Sequence, residues 1–139
     1  MSEEIDGLDF DNLVNYLSAM SSANGSVVKE VEKYLFYHQN NDLLGLSKML
    51  CYIAYGCDDN EQISNSTRRH AIINLCRILK PRSLNLKPLR NQWGTMIEEE
   101  RESFYAYAFS GLASNDDIIF NNSVCLICFL FYLVPDRIV

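Results

Sequence analysis

The cysteine pair Cys125 and Cys128, with two residues between them, is the part of this sequence whose spacing most suggests chemistry. Such a pair forms half of a zinc site or a redox-active dithiol. A structural zinc ion needs four ligands, however, and the sequence has neither a second cysteine pair nor a histidine pair at suitable spacing. We therefore expect no metal site. We expect both cysteines to be core residues of the protein, carried by the apolar last helix.

Acid–base and nucleophilic chemistry has little support in the sequence. His38 and His70 lie far apart, and neither belongs to a recognised Cys–His or Ser–His motif. The acidic run 98–100 with Glu102 would suit a carboxylate cluster, but a helix start stabilises such charges by about 0.3 to 1 kcal/mol each through the macrodipole. A solvated helix start is the simpler interpretation, and we expect no catalytic residue and no enzyme.

A phosphate-binding loop is also missing from the sequence, because its glycines are isolated and do not form a glycine-rich cluster. These isolated glycines include Gly25, Gly45, Gly56, Gly94 and Gly111. We expect the chain to bind no nucleotide and no other cofactor.

Composition limits the class of partner. The 139 residues are 48% apolar and 22% charged, which is typical of a globular chain and not of a disordered one. The net charge of -6 argues against nucleic acid, because phosphate binding needs clustered lysine and arginine. A basic protein is the natural complement of such a chain.

Several features bear on where the protein works. The five cysteines are an odd number, and most lie in apolar helical runs, which favours a reducing compartment. The first residues have neither the basic nor the apolar region of a signal peptide. The longest apolar run, 123–134, has 12 residues, whereas a membrane span needs roughly 18 or more. We expect a buried helix there and no membrane span.

Hydrophobic periodicity predicts six helices and no strand. Ser26 is the expected cap of the second helix and Thr95 that of the fifth, while the triplet Asn40-Asn41-Asp42 is expected both to stop one helix and to cap the next. The segment 80–92, which contains two prolines, is the longest stretch predicted to be irregular. The first three predicted helices span 9–20, 26–39 and 43–56. The fourth runs from the end of the polar loop 57–62 to the residue before Pro81, and the last two span 95–113 and 115–134.

Taken in pairs, these helices give three hairpins near the roughly 40 to 47 residues per unit of HEAT and armadillo arrays. The expected fold class is therefore all-α, a right-handed α-α superhelix (HEAT/armadillo-like solenoid) of about three helix pairs. Repeat 1 is expected at about 9–39, repeat 2 at about 41–80 and repeat 3 at about 95–134.

Short motifs along the chain occur in the order found in one family. Residues 31–35 resemble an Ala-Glu-x-x-Leu element with valine in place of alanine, and the helix carrying Leu46 and Leu50 resembles the next apolar helix. The run 69–79 is similar to an Arg-x-x-Ala-x-x-x-Leu-Lys-Asn element with Cys-Arg in place of Lys-Asn. Together with the Trp93 to Arg101 spacing described below, these motifs make the chain resemble the N-terminal HEAT repeats of the importin-β (karyopherin-β) family.

The strongest of these motifs is Leu-Arg-Asn-Gln-Trp at 89–93, followed eight residues later by Arg101 and then by Gly111 and Leu112. Importin-β-like chains place a tryptophan and an arginine at this spacing ahead of the third repeat. We expect Trp93 to lie in the loop between two helix pairs and to pack into the repeat junction. Arg101 is expected to bond nearby loop carbonyls.

The resemblance implies a non-enzymatic nuclear transport receptor of the cytoplasm, the nucleus and the nuclear envelope or pore. In this family the N-terminal repeats bind the GTP-bound form of the GTPase Ran on their inner surface. Importin-α or cargo, and most nucleoporins, bind later repeats. Family members have about twenty repeats, so the sequence is expected to be an N-terminal fragment of about three.

Two polar stripes are the expected Ran-binding residues, because each lies on one face of the second helix of a pair. The stripes are Glu30, Lys33 and Tyr37 at i, i+3 and i+7, and His70, Asn74 and Arg77 at i, i+4 and i+7. Three alternatives stay open: an ordinary solvated face, a HEAT-repeat scaffold subunit unrelated to Ran, and an all-α enzyme or regulatory bundle. The last would need a convergent polar pocket, which the sequence does not indicate.

Overall fold

The computed structural model describes residues 5–56, 63–80 and 86–133, and all regular structure in these ranges is helical. The all-α prediction is confirmed for them, with seven α-helices where six were predicted. The helices are α1 (Phe10–Ala19), α2 (Gly25–Asn41), α3 (Leu43–Cys51), α4 (Asn65–Leu79), α5 (Leu86–Thr95), α6 (Glu98–Ser110) and α7 (Asp117–Tyr132). A π-helical turn, Tyr52–Gly56, continues α3, and a 3₁₀ turn, Gly111–Ala113, follows α6.

Side-chain caps fix where most helices begin. Asp9 accepts a hydrogen bond from the Asn12 main-chain N–H at 2.8 Å at the start of α1. Asp42 accepts one from the Gly45 N–H at 3.0 Å, while its own N–H donates to His38 O at the end of α2, so Asp42 serves both helices as predicted. The cap of α2 was predicted wrongly: Asn24 caps this helix, and Ser26 is the residue whose N–H it binds.

The prediction that 80–92 is irregular was wrong for its second half, which forms α5. Pro88 lies in the first turn of this helix, where a missing N–H breaks no intrahelical hydrogen bond. Leu89 and Trp93 stand four residues apart on one face, and both are buried. Trp93 therefore lies in a helix and not in a loop, and burial of this face explains why a proline-bearing segment is helical.

Thr95 was also predicted wrongly as the cap of the following helix. It is the last residue of α5, and its hydroxyl donates to Gln92 O at 2.8 Å. The cap position of α6 belongs to Ile97, which has no side-chain oxygen to offer. Three glutamates in the first turn of α6 favour its start through the helix dipole instead.

The remaining boundaries agree with the predictions to within a few residues. Ser64 caps α4, and Asp116 caps α7 by accepting from the N–H groups of Ile118 and Ile119. The predicted polar loop 57–62 and the last predicted helical residue, Val134, lie outside the described residues. Among the residues described, none of the helices is both long enough and apolar enough to cross a membrane.

Helix α4 is central to the packing, since it contacts α1, α3, the π turn and α7. The second hairpin consists of α3 and α4, and the third consists of α6 and α7. Helix α3 contacts α6 and α4 contacts α7, so corresponding helices of these two hairpins pack together. The first hairpin is placed differently, with α1 on α4 and α2 on α3. The described part of the chain thus forms seven α-helices packed together, in which the second and third hairpins pack like helix on like helix.

One connected core runs through these helices. Most of its fully buried members are aliphatic side chains at helical spacing, as the periodicity predicted, and Tyr34 is buried with them. They include Leu13, Leu17, Leu46, Leu50, Ile53, Ile72, Leu75, Ile78, Leu126 and Leu130.

Candidate protein-binding groove

An open groove of about 660 Å³ lies between α2 and α4. It is lined by Met20 at the end of α1, by one face of α2 and by two polar residues of α4. The α2 residues lie at i, i+3, i+4, i+6 and i+7, which places them along one side of the helix. The lining residues are Met20, Lys29, Glu32, Lys33, Leu35, Phe36, Asn74 and Arg77.

The α4 side of the groove is held in place by hydrogen bonds. Asn74 is only 5% exposed, and its Nδ2 donates to His70 O at 2.8 Å and contacts Met20 Sδ at 3.4 Å. Its Oδ1 accepts from Arg77 Nη2 at 3.4 Å. The other guanidinium nitrogen, Nη1, donates to Gln39 Oε1 on α2 at 3.3 Å. Arg77 therefore bridges α4 to α2, and Asn74 orients it.

The electrostatic character of the groove is positive, although the whole chain is acidic. Lys29, Lys33 and Arg77 face one acidic residue, Glu32, in a protein of net charge -6. Partial burial lowers the pKa of Arg77, and the nearby charge of Glu32 acts in the opposite direction. An arginine stays protonated at neutral pH even so.

The two predicted stripes meet in this groove only in part. Lys33 comes from the first stripe, and Asn74 and Arg77 come from the second. Glu30 and Tyr37 do not line it. The charge of Glu30 contributes to the raised pKa of Tyr16 on α1, after the hydrogen bond to Asp6 and burial.

Tyr37 and His70 are engaged with other neighbours. The ring of Tyr37 is 45% exposed and meets the edge of the His38 ring at 5.0 Å between centroids. His70 Nε2 lies 3.2 Å from Ser21 Oγ, and burial lowers the pKa of His70. His70 therefore reaches the groove only through its main-chain oxygen, which accepts from Asn74.

Sequence reasoning missed Lys29, Glu32 and Phe36 as groove residues. Their helical spacing with Lys33 was visible, but it did not reveal which of two adjacent polar faces of α2 would look toward α4. Phe36 lines the groove and is 64% exposed.

Trp93 and Arg101 form a structural junction away from the groove. Trp93 is 2% exposed, and its ring packs on Phe104 at 5.2 Å and on Tyr105 at 6.1 Å between centroids. Arg101 Nη1 donates to Trp93 O at 3.3 Å. The buried indole Nε1 has no hydrogen-bond partner.

The thiols are placed differently from the prediction. Cys51 and Cys76 are buried, but Cys125 and Cys128 are exposed, so the expectation that this pair lies in the core was wrong. The buried side of α7 packs against α4, α6 and the 3₁₀ turn, and Cys125 and Cys128 lie off that side. Among the described residues no three potential metal-ligating side chains come together, and Cys57 lies outside the described residues.

A smaller cavity of about 190 Å³ lies between α3 and α6. Cys51 lines it, but burial raises the pKa of this thiol to about 12, so it is neutral and a poor nucleophile at physiological pH. Glu100 at its mouth forms an ion pair with Lys48 at 2.7 Å. Glu98 and Glu99 stay exposed, which is the solvated helix start that the sequence predicted.

Comparison with known proteins adds no assignment to this geometry. No protein-family model, no curated protein and no solved structure matches the chain.

Proposed function

We propose that this chain acts as the N-terminal HEAT repeats of an importin-β-type nuclear transport receptor and binds the GTP-bound form of Ran. The sequence motifs described above motivate the family. The observation that carries the binding site is the groove in which Lys33, Asn74 and Arg77, from both predicted stripes, come together. The function is non-enzymatic: it consists of binding, and it serves protein import into the nucleus.

The packing of the second and third hairpins supports a solenoid of the HEAT type. Helix α3 lies beside α6 and α4 beside α7, as in stacked repeats. We propose that this order continues as a right-handed superhelix. Helix α4 would then belong to the inner wall, and the groove lies along it beside α2, while importin-α or cargo and nucleoporins would bind other repeats.

The proposed mechanism is a nucleotide-dependent switch. The nucleotide-sensitive loops of Ran present a complementary surface only with GTP bound. Binding of that surface favours one curvature of the solenoid and releases cargo, because a ligand shifts a conformational equilibrium only through its different affinities for the two states. The cations of the groove supply contacts that depend on the shape of those loops.

A pull-down tests the proposal. The chain is immobilised and exposed to Ran loaded with a non-hydrolysable GTP analogue or with GDP. We expect the GTP-form complex to be tighter by about 5- to 150-fold, the usual range of coupling between two sites. Arg77→Glu and Lys33→Glu should weaken it, whereas Lys87→Glu, the same charge change on an exposed residue of α5, should not. Equal recovery of both nucleotide forms, or of neither, would refute the proposal.

A helical scaffold that ignores Ran is the second candidate. The order of the first hairpin favours it, because α1 on α4 and α2 on α3 departs from the like-on-like stacking of the other two. The same experiment separates the candidates, since a scaffold of this kind would retain neither nucleotide form of Ran.

A further inference from the structure

The groove between α2 and α4 has a chemical character of its own, which the proposed function does not specify. It combines positively charged side chains, which favour a negatively charged occupant, with an exposed aromatic ring, which favours an apolar side chain. Its volume of about 660 Å³ is enough for a few side chains of a peptide segment.

The cations are arranged to meet an anion. Lys29 and Lys33 stand one helical turn apart on α2, and Arg77 faces them from α4. The Arg77 guanidinium donates to two neutral amide oxygens, those of Gln39 and Asn74. A guanidinium has five donors in a planar fork that matches a carboxylate, so donors remain for an incoming acidic side chain.

The apolar part of the groove lies beside these cations. Phe36 is 64% exposed, whereas its neighbour Leu35 is 2% exposed and belongs to the core. Met20 closes the far side, where its sulfur already contacts Asn74. A ring left this exposed next to a groove is an anchor for an apolar side chain of a partner.

We propose that the groove binds an extended or helical protein segment that carries acidic side chains and one large apolar side chain. The carboxylates meet Lys29, Lys33 and Arg77, and the apolar side chain packs on Phe36. The inference rests on the proposed function only in naming Ran as the protein that carries the segment. Nucleic acid is the less suitable anion, because the net charge of -6 repels a polyphosphate chain at long range.

The test uses the 139-residue chain and a short fluorescein-labelled peptide of aspartate and glutamate around one central leucine. A matched peptide has asparagine and glutamine in place of the acids. We expect fluorescence anisotropy to detect the acidic peptide alone, with affinity that falls as salt rises. Equal binding of the two peptides would overturn the proposal, as would equally tight competition by a single-stranded oligonucleotide.

Matched variants locate the binding. Lys29→Gln and Arg77→Gln should each weaken the acidic peptide about three- to fivefold, the usual effect of one surface ion pair. Phe36→Ala should weaken it by a similar factor. Lys87→Gln and Phe109→Ala make the same changes at exposed positions outside the groove and should have no effect. Lys29→Gln leaves the Gln39–Arg77–Asn74 hydrogen bonds intact, so its result does not depend on groove stability.

Ran distinguishes failure of this inference from failure of the proposed function. If the peptide binds the groove and neither form of Ran binds, the proposed function falls and the acidic-segment inference stands. If GTP-loaded Ran binds the chain and Arg77→Glu weakens that complex, but the acidic peptide binds no better than its amide counterpart, the proposed function stands and the inference falls.

Discussion

At the scale of single residues, Trp93 combines a stabilising and a destabilising contribution in one side chain. Its ring packs on Phe104 and Tyr105, while its buried indole N–H has no partner. A buried donor without an acceptor costs about 1 to 3 kcal/mol. The ring contacts must outweigh that cost, because the side chain is 2% exposed.

The first prediction separates these two contributions. We expect Trp93→Ala to lower the free energy of unfolding by about 3 to 5 kcal/mol, because it leaves a cavity beside Phe104. Trp93→Phe should cost less than half as much, because it keeps an aromatic contact and removes the unpartnered N–H. Urea unfolding followed by far-ultraviolet circular dichroism measures both. Equal losses for the two variants would contradict this account of the junction.

The thiols differ in reactivity for a reason that is also local. Burial raises the pKa of both Cys51 and Cys76 to about 12, so the nucleophilic thiolate is scarce in the folded chain at neutral pH. Cys76 also donates to Asn122 O at 3.2 Å. Cys125 and Cys128 are exposed and accessible to reagents.

The second prediction follows from that difference. At pH 8, iodoacetamide should alkylate Cys125 and Cys128 in the folded chain, while Cys51 and Cys76 stay unmodified until the chain unfolds. Mass spectrometry of proteolytic peptides measures each site, with urea-unfolded protein as the control. Alkylation of all four cysteines at one rate in the folded chain would contradict the burial of Cys51 and Cys76.

At the scale of elements, the end of α6 approaches α7 so closely that only glycine fits. A Cβ on Gly111 would collide with Ser123 Oγ and would lie 2.8 Å from a ring carbon of Tyr55. Ser123 cannot easily retreat, because its hydroxyl bonds Ile119 O at 2.7 Å and Tyr55 Oη at 2.6 Å. Gly94 in α5, by contrast, has no atom within 4 Å of such a Cβ.

The third prediction uses these two glycines as a matched pair. Gly111→Ala should lower the free energy of unfolding by about 1 to 3 kcal/mol through overpacking. Gly94→Ala should raise it by up to about 1 kcal/mol, because alanine is the better helix former. Urea titration of the two variants against the parent chain gives both signs. A stabilising Gly111→Ala would mean that α6 and α7 are not in contact there.

The junction of α4 with α7 is held by a second kind of contact. Arg69 Nη2 and Nε each lie 2.6 Å from Asp116 Oδ2, while Oδ1 of the same carboxylate caps α7. The hydrogen bond from Arg69 lowers the pKa of Asp116 most, and the two capping N–H groups add to the effect. This contribution to stability is present above the ordinary carboxyl pKa and is lost as the pH falls through the lowered one.

At the scale of the whole molecule, α7 carries several exposed large apolar side chains, which are Ile118, Phe120, Val124, Phe131 and Tyr132. Phe120, Val124 and Phe131 stand four and seven residues apart, so they form a strip along one face, and Phe131 is 64% exposed. Exposed apolar strips of this kind promote association between molecules.

The fourth prediction is weak self-association of the chain through this face. The mean mass in sedimentation equilibrium should rise above 16.0 kDa with protein concentration. Val124→Glu and Phe131→Glu should each return it toward the monomer, because a buried charge opposes the contact. Phe109→Glu, at an exposed position on α6, serves as the control and should leave association unchanged. A constant monomer mass at all concentrations would contradict the prediction.

The sequence by itself determined where most helices form, because periodicity and caps such as Asp42 act within a few residues. Only the tertiary structure decided that α5 is helical, since its stability comes from burying Leu89 and Trp93 against other helices. It also decided that Cys125 and Cys128 face outward, and that Lys29 and Phe36 join Arg77 in one groove. A helix with two suitable faces does not encode which of them a distant helix will cover, because that choice depends on contacts far apart in the chain.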